Sequence, residues 1–214
     1  MSVIIGIDLS GPSNVSDTAA IRCETVGDKL ICTGGGSGFT DRMIFDLVSS
    51  VSPDDKLVVA LDAPLSYEPG GGDRERDKAL RQRLTSAGLS SGTVMTPTMT
   101  RMAYLTLRGI SIARLILAAN PKATIVEVHP GGALVLNGVD ASYVRTIKTD
   151  QSSREHIVSW LQSGKFNRID NFAPHSDHII AALGACLAGQ GVMMQESRWL
   201  YKKEPPLHPF DLVC

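Results

Sequence analysis

The sequence lacks the features that mark disulfide-rich secreted domains and strongly basic nucleic-acid-binding proteins. It has four cysteines in 214 residues and no CxxC pair, and a chain of this length can bury a core without disulfide bonds. Its 21 Lys and Arg residues nearly balance its 22 Asp and Glu residues, so the net charge of −1 supplies no overall field that attracts a polyanion. Any nucleic acid must therefore be bound by a local patch.

Long uninterrupted apolar segments are also missing. The longest, residues 102–119, is broken by Arg108 and Arg114, and an arginine at the bilayer centre costs about 2.5–3.5 kcal/mol on insertion scales. The N-terminus shows neither a basic leader nor a small-residue cleavage site before the apolar run at residues 3–7, as a secretory signal would. These absences predict a cytoplasmic protein with no membrane partner.

The glycine-rich segments do not form a phosphate-binding motif. Residues 34–38 and 70–72 do not match GxxxxGKS or GxxxxGKT, so we interpret them as flexible loops. The length and the 43% share of hydrophobic residues predict one domain spanning residues 1–214.

Apolar runs that end in or next to an acidic residue are the clearest pattern in the chain. Such runs predict buried strands whose last side chains project from one edge of a sheet. A predicted helix over residues 176–189 also begins with an acid, Asp177, in its first turn. The acids of the three runs, at residues 3–9, 56–63 and 123–128, are Asp8, Asp62 and Glu127.

A hairpin and an inserted helical region complete the predicted organisation. Gly27 and Asp28 predict a two-residue turn, which places Cys23 opposite Cys32. Residues 68–120 contain a charged helix and a long apolar helix between two predicted strands. The pattern indicates an α/β protein with a mixed sheet covered by helices, and it predicts an extended proline-rich tail over residues 204–209.

The predicted carboxylate cluster points to metal-dependent hydrolysis. Clustered carboxylates do not all stay ionised without a compensating cation, and ligation by oxygen alone favours Mg²⁺ or Mn²⁺ over zinc. Metal ions held in this way activate water and stabilise a leaving oxygen in phosphodiester cleavage. His175 and His178 flank Asp177 and are candidates for proton relay or metal ligation, but no cysteine or further histidine lies at ligand spacing, so we interpret them as surface histidines.

Four motifs resemble the DUF429 family of predicted nucleases, which have a ribonuclease H-like fold. The motifs, which span nearly the whole chain, are GIDLSGP at residues 6–12, ALDAP at 60–64, IVEVHPGGAL at 125–134 and SDHIIAALGACLAG at 176–189. The resemblance implies a five-stranded mixed sheet with a helical insertion after the fourth strand.

The same resemblance implies a role for each acid. It places Asp8 on the first strand, Asp62 on the fourth, Glu127 on the fifth and Asp177 on the closing helix, as catalytic residues and ligands of Mg²⁺ or Mn²⁺. Related sites often carry a second acid one turn into that helix. The sequence has Ile180 there, which leaves open whether one or two metal ions bind.

Basic side chains near these motifs are candidates for substrate binding. Arg74, Lys78 and Arg81 share one face of the predicted charged helix. They either grip phosphate or form a solvated face balanced by neighbouring acids, which are Asp73, Glu75 and Asp77. The other candidates are Arg101, His129 and Lys148.

The sequence thus predicts a Mg²⁺- or Mn²⁺-dependent nuclease that binds DNA or RNA and leaves a 3′ hydroxyl. Two alternatives stay open. One is a nucleotide-binding or phosphotransferase protein of the same fold superfamily, and the other is a binding module without catalytic activity.

Overall fold

The computed structural model describes residues 1–172 and 175–214 of the chain. The strands are β1 Ser2–Asp8, β2 Ala19–Val26, β3 Lys29–Ser37, β4 Lys56–Asp62, β5 Thr124–Val128, β6 Phe166–Asn167, β7 Leu200–Tyr201 and β8 Asp211–Val213. The α-helices are α1 Asp41–Ser49, α2 Glu75–Ser86, α3 Arg101–Ala119, α4 Pro130–Leu136, α5 Ala141–Thr146, α6 Gln151–Gly164 and α7 Asp177–Met194.

The strands form one mixed sheet in the order β6-β3-β2-β1-β4-β5-β8-β7. The neighbours β1, β4 and β5 are parallel, whereas β2 runs antiparallel to β1 and β3. Because parallel strands end at the same edge of a sheet, the carboxyl ends of β1, β4 and β5 lie together. Three of the four predicted acids belong to this edge.

Among the residues that the structure describes, the sheet has eight strands, which corrects the expected five. The expected strands are present as β1 to β5, and the three additional strands contain only two or three residues each. Strands this short show no alternation that a sequence pattern can detect. The C-terminal segment is also more ordered than predicted, because Glu204 and His208 form a β-bridge and β8 pairs in parallel with β5. Residues 212–214 are buried.

The hairpin register confirms the sequence prediction. Val26 pairs with Lys29 and Cys23 with Cys32, and Gly27 adopts the left-handed backbone (φ 61°) that favours glycine in such a turn. The two sulfur atoms lie 3.5 Å apart. Burial and a hydrogen bond to Cys186 raise the pKa of the Cys23 thiol well above its ordinary value, so this thiol is protonated and unreactive at neutral pH.

Helices cover both faces of the sheet. One core contains Ile4, Ile21 and Val58 with the apolar side of α7, and the other contains Ile5 and Val59 with buried residues of α1 and α3. This follows from the strand period of two, which sends successive side chains to opposite faces. The α2 and α3 helices lie between β4 and β5 in sequence, within the predicted insertion.

Two helices, α3 and α7, are long and apolar enough to cross a membrane. Buried core helices meet the same criterion, and most of α7 is buried inside the protein. Arg108 of α3 is buried as well, and it donates hydrogen bonds to Asp41 and Ser10.

The small residues of α7 allow it to approach the sheet closely. A Cβ atom on Gly6 of β1 would lie 2.2 Å from the carbonyl oxygen of Ala182 and 2.6 Å from the backbone nitrogen of Cys186. Backbone atoms cannot move aside as a flexible side chain can. Gly6 is therefore required for the contact between β1 and α7.

We predict that Gly6→Ala destabilises the protein by about 2–3 kcal/mol or more, because overpacking forces the helix away from the strand. Gly11→Ala is the matched control, since its Cβ would meet nothing within 4 Å and should change stability by less than about 0.5 kcal/mol. Urea unfolding monitored by circular dichroism measures both. Equal stabilities for the two variants would contradict the packing argument.

Candidate functional site

The four predicted acids line one cavity of about 560 Å³ at the carboxyl edge of the sheet. Asp8 and Asp62 are register partners on β1 and β4, while Glu127 on β5 lies opposite Leu61, one residue earlier. The α7 helix begins here with Asp177, and the side chain of Ser176 caps it by accepting a hydrogen bond from the Ile179 N–H. The side chains come together because three strands and one helix start or end at this place.

Asp8 and Asp62 form a like-charged pair. Burial, the Asp8 charge and a hydrogen bond to the Asp8 carboxyl raise the pKa of Asp62 well above its ordinary value. The nearby Lys148 charge acts in the opposite direction, and Glu127 adds to the increase. A pair of carboxyls in this state retains a proton or attracts a cation.

His178, which the sequence analysis interprets as a surface histidine, lines the cavity. Its Nδ1 lies 2.7 Å from Oδ2 of Asp8, and its Nε2 lies 3.9 Å from an Asp17 oxygen and 4.0 Å from an Asp177 oxygen. The hydrogen bond to Asp8, aided by the surrounding acids, raises the pKa of His178. The sequence shows a histidine next to an acid at the start of a predicted helix. It does not show that this histidine pairs with Asp8, which lies 170 residues away.

Glu127 occupies the same cavity but is already paired within the protein. Its Oε2 accepts hydrogen bonds from Arg74 Nη1 and from the Leu65 N–H, each at 2.9 Å. Its Oε1 accepts from Arg74 Nη2 at 2.5 Å. Both partners of the ion pair are almost completely buried. Glu127 thus holds Arg74 and the loop that follows β4.

Arg74 has a second carboxylate partner, Asp77, whose oxygens accept from its Nε and Nη2 at 2.9 and 2.6 Å. Burial acts to lower the pKa of Arg74, but the Glu127 charge and the hydrogen bonds to Asp77 and Glu127 raise it above its ordinary value. Arg74 is therefore a permanent buried cation.

The three basic residues predicted to share a helix face do not form a common exposed surface. Arg74 precedes α2 and is buried, as described above. Lys78 is exposed and pairs with Glu75 at 2.6 Å, and Arg81 makes two hydrogen bonds to Asp73, at 2.6 and 3.1 Å. Each cation is neutralised by one of the neighbouring acids, so the geometry matches the balanced helix rather than a phosphate clamp.

The other candidate substrate-binding residues differ in position. Lys148 is exposed and lines the cavity, and the described part of the chain gives it no hydrogen-bond or ion-pair partner. Arg101 is exposed at the start of α3. Its place relative to a substrate stays a prediction.

His129 is part of the cavity wall. Its Nδ1 accepts a hydrogen bond from the Gly132 N–H at 2.9 Å, so the proton is on Nε2, which donates to the Thr93 carbonyl at 3.1 Å. Burial lowers the pKa of the ring, which keeps His129 neutral. The residue joins the start of α4 to the segment after α2.

The chemistry of the donor set fits a hard divalent cation. No group of three or more His, Cys, Asp or Glu side chains within residues 1–172 and 175–214 is already arranged to hold a metal ion. Mg²⁺, however, commonly takes only one or two carboxylates and completes its shell with water and substrate phosphate. Asp8 and Asp62 offer such a pair, with Asp177 beside them. Ile180, one turn later, is buried in the core.

Comparison with known proteins identifies a family. A family model described as a protein of unknown function, DUF429, matches residues 6–205, a range that contains all four acids. Comparisons with curated proteins and with solved structures gave no significant match.

We predict that Arg74→Met destabilises the protein by about 3–5 kcal/mol, because it leaves Glu127 and Asp77 buried without their counter-charge. The double variant Arg74→Met, Glu127→Gln should recover at least half of that loss. Lys78→Met, which removes only an exposed, solvent-screened ion pair, should leave the stability unchanged within the error of the measurement. Denaturant unfolding tests all three, and a double variant no more stable than Arg74→Met would contradict the assignment.

Proposed function

The chain belongs to the DUF429 family, and we propose that it is a Mg²⁺- or Mn²⁺-dependent nuclease that hydrolyses phosphodiester bonds. The observation that carries the proposal is the register pairing of Asp8 and Asp62 in a cavity that also contains Asp177 and Lys148, a lysine without an ion-pair partner among the described residues. The order β3-β2-β1-β4-β5 at the centre of the sheet, with an acid on β1, supports a ribonuclease H-like fold. Cytoplasmic location and a nucleic-acid partner stay predictions.

The proposed role of each residue follows from its charge. Asp8 and Asp62 would hold the metal ion, with Asp177 at the edge of the site. The bound ion would lower the pKa of water and stabilise the leaving oxygen. His178 holds the Asp8 carboxyl through its Nδ1 hydrogen bond, and Lys148 offers a cation to the substrate phosphate. Water adds to phosphorus as the bond to the 3′ oxygen breaks, which leaves a 5′ phosphate and a 3′ hydroxyl.

Glu127 receives a different role from the one that the resemblance implied. Its two oxygens already accept three hydrogen bonds from Arg74 and Leu65. A carboxylate with this set of partners is better suited to positioning than to metal ligation. We therefore assign Glu127 to holding the loop after β4, and with it the end of that strand.

We predict that Asp8→Asn and Asp62→Asn each lower kcat/KM for cleavage by at least about 100-fold, a loss of about 2.7 kcal/mol. Neither should lower the melting temperature, because each replaces a carboxyl with an amide of the same size, and the two carboxyls repel each other when both are ionised. Asp46→Asn, at an exposed position of α1, is the control and should keep its activity. The measurement is nuclease activity on single-stranded and duplex DNA and RNA with Mg²⁺ or Mn²⁺. A fully active Asp8→Asn variant, or a wild-type protein inert on every substrate, would reject the proposal.

Salt dependence tests the role of Lys148. Each phosphate contact contributes about 0.7–0.9 to the slope of log affinity against log salt, so Lys148→Ala should flatten the slope by about that amount. Lys78→Ala should leave it unchanged, because Glu75 already pairs with Lys78. Fluorescence anisotropy of a labelled oligonucleotide in Ca²⁺ gives both slopes. Equal slopes for wild type and Lys148→Ala would remove Lys148 from the binding site.

A further inference from the structure

We infer that the cavity binds the base of one unpaired nucleotide, so that the substrate is single-stranded nucleic acid rather than an intact duplex. This inference rests on the proposed nuclease function, since it names the substrate class of the same site. Its basis is the apolar part of the cavity lining, because metal binding by carboxylates does not require apolar side chains.

The cavity has the size and lining of a small-molecule site. Its volume of about 560 Å³ lies within the range of about 300–1,000 Å³ typical of ligand pockets. Val94, Met102, Leu105, Val144 and Ile147 line it together with the acids. Aliphatic and thioether side chains pack well against the flat face of an aromatic ring.

The polar and apolar groups lie close enough to serve one ligand. Ile147 and Lys148 are consecutive residues that both line the cavity, and Val144 precedes them by one helical turn. A single segment therefore presents an apolar surface next to a cation, Lys148, that has no ion-pair partner within residues 1–172 and 175–214. A nucleotide has the matching chemistry, with an apolar aromatic base a short distance from an anionic phosphate.

The charge distribution disfavours a duplex as the bound form. A duplex backbone needs a row of cations outside the cavity, but Lys78 and Arg81 on α2 are paired with acids, and the net charge is −1. A base stacked inside a duplex also cannot enter a cavity unless it is first extruded, which costs a few kcal/mol. An unpaired nucleotide avoids that cost.

The part of the apolar wall that contains Val94 is held in place by hydrogen bonds to its backbone. His129 Nε2 donates to the Thr93 carbonyl at 3.1 Å, and Arg81 Nη2 donates to the Val94 carbonyl at 3.0 Å. Two adjacent backbone carbonyls are thus fixed from different elements, α4 and α2. A preformed wall lowers the entropy cost of binding, and this gives Arg81 and His129 a function that requires no phosphate contact.

Calorimetry in Ca²⁺ tests the base pocket without turnover. Adenosine and uridine 5′-monophosphates should bind at least tenfold more tightly than ribose 5-phosphate, which has the same phosphate but no base. Met102→Gln and Ile147→Gln should reduce this ratio at least fivefold while leaving the affinity for ribose 5-phosphate unchanged. Met43→Gln, on α1, is the control and should keep the wild-type ratio. Equal affinities for the nucleotides and ribose 5-phosphate would overturn the inference.

A cleavage assay separates this inference from the nuclease proposal. The protein should cleave a single-stranded oligonucleotide at least tenfold faster, in kcat/KM, than the same sequence in a blunt duplex. Equal rates on both would overturn the base pocket and leave the nuclease proposal intact. Base-dependent nucleotide binding without cleavage of any substrate would support the pocket and reject the nuclease.

Discussion

The pairing of β1 with β4 places two carboxylates side by side, and the rest of the site follows from this like-charged contact. Asp8 and Asp62 cannot separate without breaking the register of the two central strands. Burial and repulsion by Asp8 both raise the pKa of Asp62. Two basic side chains lie near the pair. His178 forms a hydrogen bond with Asp8, and Lys148 lines the same cavity, where its charge acts to lower the pKa of Asp62. Packing of the two cores maintains this unfavourable contact, as is common where a protein keeps a site ready for a ligand.

The third acid at the same edge, Glu127, is instead neutralised by a cation within the protein. Glu127 is buried among apolar residues, and an unpaired carboxylate there would be costly, but Arg74 neutralises it with two hydrogen bonds. One carboxylate of the edge is thus satisfied by the protein, whereas under the proposed function the β1 and β4 carboxylates would hold the metal ion. The distinction depends on α2, because Arg74 reaches Glu127 only when the inserted helix packs over the end of the sheet. The insertion therefore determines the chemistry of the site as well as covering it.

The parts of this arrangement that depend on local patterns were predictable from the sequence. Apolar runs ending in acids gave β1, β4 and β5, and counting outward from the Gly27–Asp28 turn gave the pairing of Cys23 with Cys32. The side-chain pairs of the site were not predictable, because their members lie far apart in sequence. Arg74 and Glu127 are 53 residues apart, and His178 and Asp8 are 170 apart. Helical spacing suggested that Arg74, Lys78 and Arg81 act together, but only the tertiary structure shows which acid neutralises each one. The two- and three-residue strands had no periodic signal.

Close packing of α7 connects the stability of the fold to the geometry of the site. Gly6 lies two residues before Asp8 on β1, and Ala182, whose carbonyl it meets, lies four residues after His178 on α7. The contact between these small residues fixes the distance between strand and helix one turn away from the hydrogen bond of His178 to Asp8. A side chain at position 6 would move the whole helix outward, since a helix shifts as a rigid unit, and His178 and Asp177 would move with it. A buried glycine that touches no ligand therefore sets the positions of two residues that line the cavity.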